Sequence, residues 1–92
     1  MKAIISYYRG PGNVRGSRYW ATDGDGLRVS VQASDTLTSD QNHEAAVRKL
    51  CKVYGWTGSL VRGGLMRAGH QVGYVWVWRQ ERLKVAEEIA IQ

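Results

Sequence analysis

Residues 38–55 read TSDQNHEAAVRKLCKVYG and carry the clearest helix pattern in the chain. Apolar residues recur there at three- and four-residue steps, which places them on one face of a helix. They are Ala46, Val47, Leu50, Cys51 and Tyr54. Thr38, Ser39 or Asp40 can cap its start, with Gln41 three residues after Thr38 for a capping box, and Gly55 followed by Trp56 matches a C-terminal stop. We therefore expect one amphipathic helix whose apolar face packs against other elements.

Strand-like segments flank this helix on both sides. β-branched, aromatic and alternating apolar residues predict strands at 2–8, 18–22 and 27–31 before the helix, and at 57–61 and 72–78 after it. Asp23-Gly24-Asp25-Gly26 is a strong hairpin signal, because Gly and Asp accept the backbone angles of tight turns. Gly10-Pro11-Gly12-Asn13 breaks the first strand, and we expect a Gly-rich loop at 62–71.

The order β-β-β-α-β-β predicts a single α+β domain over residues 1–78, with an antiparallel sheet and one packed helix. Residues 79–92 switch to helix-forming residues and predict a C-terminal helical extension.

The last predicted strand is apolar on both faces. Tyr74, Trp76 and Trp78 alternate with Val75 and Val77, so the two sets point to opposite sides of the sheet. One helix covers one face. The other face is covered by the C-terminal helix, by a second subunit or by a partner, so a homodimer is possible.

The composition narrows the class of protein. The chain has 92 residues, a mass of 10.3 kDa, 43% hydrophobic residues and a net charge of +5. These values fit one small, basic, folded domain. No apolar run approaches the ~18–20 residues that span a bilayer, and no signal-peptide pattern is present. The single cysteine, Cys51, cannot form an internal disulfide, so we expect a cytoplasmic protein.

Residues 9–18, RGPGNVRGSR, are the most distinctive stretch. Arginines among small residues allow guanidinium and backbone N–H groups to converge on an anion. The candidate partner- or anion-binding residues, including two from the second basic loop, are Arg9, Asn13, Arg15, Ser17, Arg18, Arg62 and Arg67. The stretch is neither a P-loop nor a dinucleotide fingerprint. The alternative is a structural loop whose arginines pair with acids such as Asp23 and Asp25.

Tyr74, Trp76 and Trp78 form a candidate aromatic interface, with core packing as the alternative. His43 and His70 have no Cys or carboxylate at metal-binding spacing, and no nucleophile–base pair is recognisable. We therefore predict no catalytic residues, no metal, no cofactor and no enzymatic activity.

Four motifs in order carry a resemblance: GPGNVRGSR at 10–18, HEAAVRKLC at 43–51, GW at 55–56 and YVWV at 74–77. The chain resembles small proteins encoded by phages, prophages and plasmids. Those proteins usually have Thr where Gly12 stands, and they end near the final strand. The resemblance implies a mobile-element protein acting in the cytoplasm of a bacterial host. Small proteins of this setting commonly inhibit host defence systems by binding, as anti-CRISPR proteins do.

We therefore predict a small non-catalytic protein that inhibits a host defence complex by stoichiometric binding. A charge of +5 is wrong for a DNA mimic, so the partner would be an acidic protein surface, guide RNA or target DNA. Two alternatives stay open: a nucleic-acid-binding module that uses the basic loops, and a sponge for an anionic nucleotide signal.

Overall fold

The computed structural model describes residues 3–10, 17–79 and 88–91. Within these ranges, the elements are β1 Ile4–Arg9, β2 Arg18–Thr22, β3 Arg28–Gln32, α1 Ser39–Tyr54, β4 Gly58–Arg67, β5 His70–Trp78 and β6 Glu88–Ile91. The strands form one antiparallel sheet in the order β3-β2-β1-β5-β4-β6. The predicted α+β fold with one packed helix is confirmed.

The ends of α1 form as its sequence predicts. The Thr38 hydroxyl accepts a hydrogen bond from the Gln41 N–H at 3.2 Å, and Gln41 Oε1 accepts one from the Thr38 N–H at 2.9 Å. Gly55 adopts the left-handed conformation with φ 70°, and the Trp56 N–H donates to the Cys51 carbonyl. These caps satisfy backbone groups that the first and last turns leave unpaired. Within the described ranges, no helix has the length and apolarity needed to cross a membrane.

The core lies between α1 and one face of the sheet. Its fully buried residues are Ile4, Ala21, Ala46, Val47, Leu50, Cys51 and Leu60, with Trp76 1% exposed. Burial also raises the pKa of the Cys51 thiol. The predicted apolar stripe of the helix is therefore confirmed, except that Tyr54 at its end is exposed.

The sheet curls far enough that α1 reaches both of its edges. Lys49 Nζ donates to the Ser30 carbonyl of β3 at 2.8 Å. Arg48 Nη1, from the next residue of the helix, donates to the Ala90 carbonyl of β6 at 2.9 Å. Neighbouring side chains of one helix thus bind opposite edge strands, where backbone groups are otherwise open to pairing with another chain.

The predicted loop at 62–71 is wrong. β4 continues to Arg67, β5 begins at His70, and the two strands join through Ala68 and Gly69, which both have positive φ. This is the backbone geometry of a tight hairpin turn. Gly63 and Gly64 concealed the strand, because glycine lacks the side chain that gives strands their sequence pattern.

The predicted C-terminal helix is wrong for residues 88–91, and residues 80–87 lie outside the described ranges. Residues 88–91 form β6, which pairs with β4 from Gly58 to Val61. Ile89 and Ile91 alternate with Ala90, which is the two-residue period of a β-strand. This segment forms a strand because β4 lies beside it and pairs with it.

Gly73 lies where the backbones of β5 and β1 approach each other closely. A Cβ atom added at Gly73 would lie 2.1 Å from the Ser6 carbonyl oxygen. By contrast, a Cβ added at Gly63 on β4 would meet nothing within 4 Å. The β1–β5 contact therefore depends on the missing side chain of Gly73.

We expect Gly73→Ala to lower the free energy of unfolding by about 2 kcal/mol or more, because the two central strands must move apart. Gly63→Ala is the matched control and should change stability by less than ~0.5 kcal/mol. Urea denaturation measures both. Equal stabilities for the two variants would contradict the close approach.

Candidate functional site

The sheet face that points away from α1 carries a second set of large side chains. Ile5 and Tyr7 of β1, Trp20 of β2, and Val75 and Val77 of β5 alternate with the core residues and point to this side. All five are at least partly exposed. Among the described residues, no helix covers this side of the sheet, and we call it the open face.

An aromatic pair stands on the open face. Tyr7 and Trp20 are cross-strand partners, and their rings are parallel within 7° with centroids 6.4 Å apart. The Arg28 guanidinium lies 5.3 Å from the Trp20 ring centroid, within range of a cation–π interaction. Arg28 thus adds a positive charge next to the Trp20 ring of the pair.

Two arginines lie directly opposite each other beside this pair. Arg9 and Arg18 are cross-strand partners, two positions along from Tyr7 and Trp20 on the same face. Arg18 Nε donates a hydrogen bond to Ser30 Oγ at 2.9 Å, which anchors the Arg18 guanidinium group at this nitrogen. Like charges placed opposite each other destabilise a sheet by about 0.2–1 kcal/mol. A bound anion would relieve this repulsion.

We call these residues the aromatic–arginine patch: Tyr7, Arg9, Arg18, Trp20 and Arg28. The sequence analysis identified two of its arginines but neither aromatic residue. The missed signal is the pairing register of β1 and β2, which brings Tyr7 and Trp20 together and cannot be read from either strand alone.

Two further predicted partner- or anion-binding residues, Ser17 and Arg67, lie at this end of the sheet. Arg67 ends β4 next to His70, so antiparallel pairing places it at the same end as Arg9 and Arg18. The Ser17 hydroxyl accepts a hydrogen bond from the Tyr8 hydroxyl at 2.9 Å. Asn13 and Arg15 lie outside the described residues.

Arg62 is not in a loop and does not join the other arginines. It lies within β4, with its guanidinium carbon 4.6 Å from the Tyr74 ring centroid and Nη1 3.5 Å from Asp40 Oδ2. Tyr74 donates a hydrogen bond to Asp40, and this bond, together with burial, raises the pKa of Tyr74. Arg62 therefore belongs to a cluster on the helix side of the sheet.

The predicted aromatic interface of Tyr74, Trp76 and Trp78 faces α1 rather than solvent. Trp76 is core, and its Nε1–H donates to Ser6 Oγ at 2.8 Å. Trp78 packs partly buried against the same core. The sequence correctly predicts that the aromatic residues and the valines of β5 point to opposite faces of the sheet. It does not show which of the two faces packs against the helix.

A cavity of about 910 Å³ opens between the first turns of α1 and the sheet. Its lining includes the rings of Tyr19, His43 and Tyr74, together with Gln71 and Val72 from β5. No Lys or Arg occurs among its described lining residues.

His43 is the most buried titratable group of this cavity. It is 5% exposed, and the rings of Tyr19 and Tyr74 meet it edge-on with centroids 4.9 Å away. Because Trp76 donates to Ser6 Oγ, the Ser6 hydroxyl is free to donate to His43 Nδ1, 2.8 Å away. We assign the proton of the neutral imidazole to Nε2, because His43 Nδ1 is the one acceptor among the described residues within reach of the Ser6 hydroxyl.

Burial lowers the pKa of His43; the charge of Asp40 opposes this shift and that of Arg62 adds to it. The Ser6–His43 pair does not resemble an activated nucleophile, because Ser6 is fully buried and its oxygen is occupied by Trp76. Within the described residues, no group of three or more His, Cys, Asp or Glu side chains is placed to hold a metal ion.

No protein-family model, curated protein or solved structure matches the chain. The resemblance to mobile-element proteins and the absence of enzymatic activity stay predictions.

We expect the protein to lose stability as the pH falls below the ordinary His43 pKa of 6.5, because the unfolded chain then binds a proton that folded His43 resists. Stability should be constant with respect to this group above about pH 7.5 and should fall progressively towards the lowered folded-state pKa. Thermal melting across this range measures the effect.

His43→Asn should weaken this pH dependence, whereas the control His70→Asn, at an exposed position, should retain it. An unchanged pH profile in the His43 variant would contradict the assignment.

Proposed function

We propose that the protein is a non-catalytic binding protein whose aromatic–arginine patch binds single-stranded nucleic acid. The observation that carries this proposal is the parallel Tyr7–Trp20 pair flanked by arginines on the open face.

Each part of the patch has a counterpart in a nucleic-acid strand. Bases stack on exposed aromatic rings with about 1–3 kcal/mol per base, and arginines bind phosphates through charge-assisted hydrogen bonds. The arginine pair lies about 7 Å along the strands from the aromatic pair. One nucleotide can therefore stack on Tyr7 or Trp20 while a neighbouring phosphate reaches Arg9 and Arg18.

A single strand fits the patch better than a duplex. Stacking requires the flat face of a base, and bases within a duplex are already stacked on each other. The net charge of +5 attracts any nucleic acid over longer distances, so the aromatic pair supplies the preference for unpaired bases.

Inhibition of a host defence complex remains the wider proposal from the resemblance. The patch supports the form of it in which the protein contacts guide RNA or an unpaired target strand. The sponge for an anionic nucleotide has less support, because the described lining of the cavity lacks Lys and Arg. A homodimer through the apolar part of the open face, at Ile5, Val75 and Val77, is compatible with this arrangement.

We expect a labelled single-stranded RNA of about 12 nucleotides to bind with an affinity that falls steeply with salt. Arg9→Gln should weaken binding and reduce the slope of log affinity against log salt by about one. Lys52→Gln, an exposed charge in the last turn of α1, is the matched control and should leave the slope unchanged. Fluorescence anisotropy between ~50 and 200 mM salt measures both. Binding that ignores salt would overturn the proposal.

Tyr7→Leu removes half of the aromatic pair and should reduce the binding free energy by about 1–3 kcal/mol. Tyr54→Leu is the matched control, because Tyr54 is also exposed and lies near another tryptophan, Trp56, away from the patch. Circular dichroism verifies that both variants fold. Equal affinities for the two variants would show that stacking on the patch does not occur.

A further inference from the structure

The cavity on the helix side contains one donor with no evident structural role. Every buried side-chain nitrogen and oxygen among the described residues has a hydrogen-bond partner. His43 Nδ1 is paired with Ser6, but Nε2 has no partner among those residues. Nε2 must therefore be accessible, and the space that His43 lines is the cavity. An N–H fixed on a residue that is 5% exposed is a preformed donor for a ligand.

The rest of the lining restricts the ligand. Charged contacts from the described lining residues would come from Asp35, the one carboxylate among them, and these lining residues include no Lys or Arg. This disfavours a phosphate or carboxylate group inside the cavity. Gln71, whose Nε2 donates to the Gly73 carbonyl, adds an amide group to the lining, and Tyr8, Tyr19 and Tyr74 supply aromatic walls.

These features suit a flat, uncharged group with hydrogen-bonding edges. An imidazole N–H binds a carbonyl oxygen or ring nitrogen, amides bind the mixed edge beside it, and aromatic walls contact a ring. We propose that this cavity binds a nucleobase, with the His43 Nε2–H as its fixed donor. The base comes either from a free nucleoside or from a nucleotide within a bound strand.

The second source rests on the proposed function. Tyr8 and Ser17 line the cavity and are the chain neighbours of Arg9 and Arg18 in the patch. The cavity and the arginine pair thus lie at the same end of the sheet, on its two faces. In this form of the proposal, one phosphate of a strand contacts the arginines and a neighbouring base occupies the cavity.

The test titrates ¹⁵N-labelled full-length protein with adenosine, guanosine, cytidine and uridine, which carry no phosphate. At least one nucleoside should shift the His43 Nε2 resonance, with the inorganic phosphate control leaving it unchanged. The free protein should also show the Nε2-protonated neutral tautomer, which a purely structural histidine would share. The ligand-induced shift is therefore the deciding signal.

Val72→Trp should obstruct part of the cavity, because Val72 lines it and is 41% exposed, so the larger ring need not enter the core. We expect nucleoside affinity to fall at least about tenfold. Val53→Trp is the matched control, at a 57% exposed helix position outside the cavity lining, and should bind as the wild type does. His43→Asn keeps an acceptor near the Nδ1 position for Ser6 but lacks Nε2, and it should also bind more weakly.

The same variants identify the source of the base. If Val72→Trp weakens binding of the single-stranded RNA as well, the base belongs to the strand; if it weakens nucleoside binding alone, the ligand is free. Nucleoside binding without RNA binding would leave the cavity proposal standing and remove the patch proposal. If no nucleoside shifts the Nε2 resonance and Val72→Trp leaves RNA affinity unchanged, the cavity proposal is overturned.

Discussion

The hydrogen bonds from Trp76 to Ser6 and from Ser6 to His43 join the two central strands to the helix at one point. Trp76 lies on β5, Ser6 on β1 and His43 on α1. Burying these polar groups would cost several kcal/mol if they were unpaired. Trp76 Nε1, Ser6 Oγ and His43 Nδ1 are paired only when the three elements keep this mutual arrangement.

This arrangement determines both candidate sites. Since Ser6 and Trp76 must point to α1, their neighbours Ile5, Tyr7 and Val75 must point away from it. The open face and its aromatic pair are thus a consequence of where the core hydrogen bonds lie. The same bonds occupy His43 Nδ1 and so leave Nε2 as the donor that meets the cavity.

Local sequence signals made the helix α1 and the β2–β3 hairpin predictable. The Thr38 and Gly55 caps and the glycines of the β2–β3 turn act over a few residues, so the sequence alone contains their cause. β6 was missed because its pairing partner, residues 58–61 of β4, lies far away along the chain; the later part of β4 was missed because Gly63 and Gly64 interrupt its strand pattern. Strand identity in both cases follows from tertiary pairing rather than from intrinsic preference.

The candidate sites were predictable only in part, for a related reason. The alternation of side chains along β5 shows that Trp76 and Val75 point to opposite faces of the sheet. Which of the two is buried depends on which face packs against α1. The sequence therefore placed the aromatic contact surface on the side that became core. Arg9 and Arg18 were identified because they lie in a distinctive glycine-rich segment. Trp20 lies in an ordinary strand, and it becomes part of a candidate site only because Tyr7 lies opposite it.

The contacts that α1 makes at the two edge strands of the sheet also bear on how a partner can bind. Exposed edge strands recruit partners by backbone pairing, but here α1 places a basic side chain on a carbonyl of each edge. Contacts on the open face, by contrast, are made by side chains rather than by backbone. A side-chain surface of aromatic rings and guanidinium groups selects ligands with flat rings and negative charge. Nucleic acid combines the two in every repeating unit, and this match is the physical basis of the proposed binding at the open face.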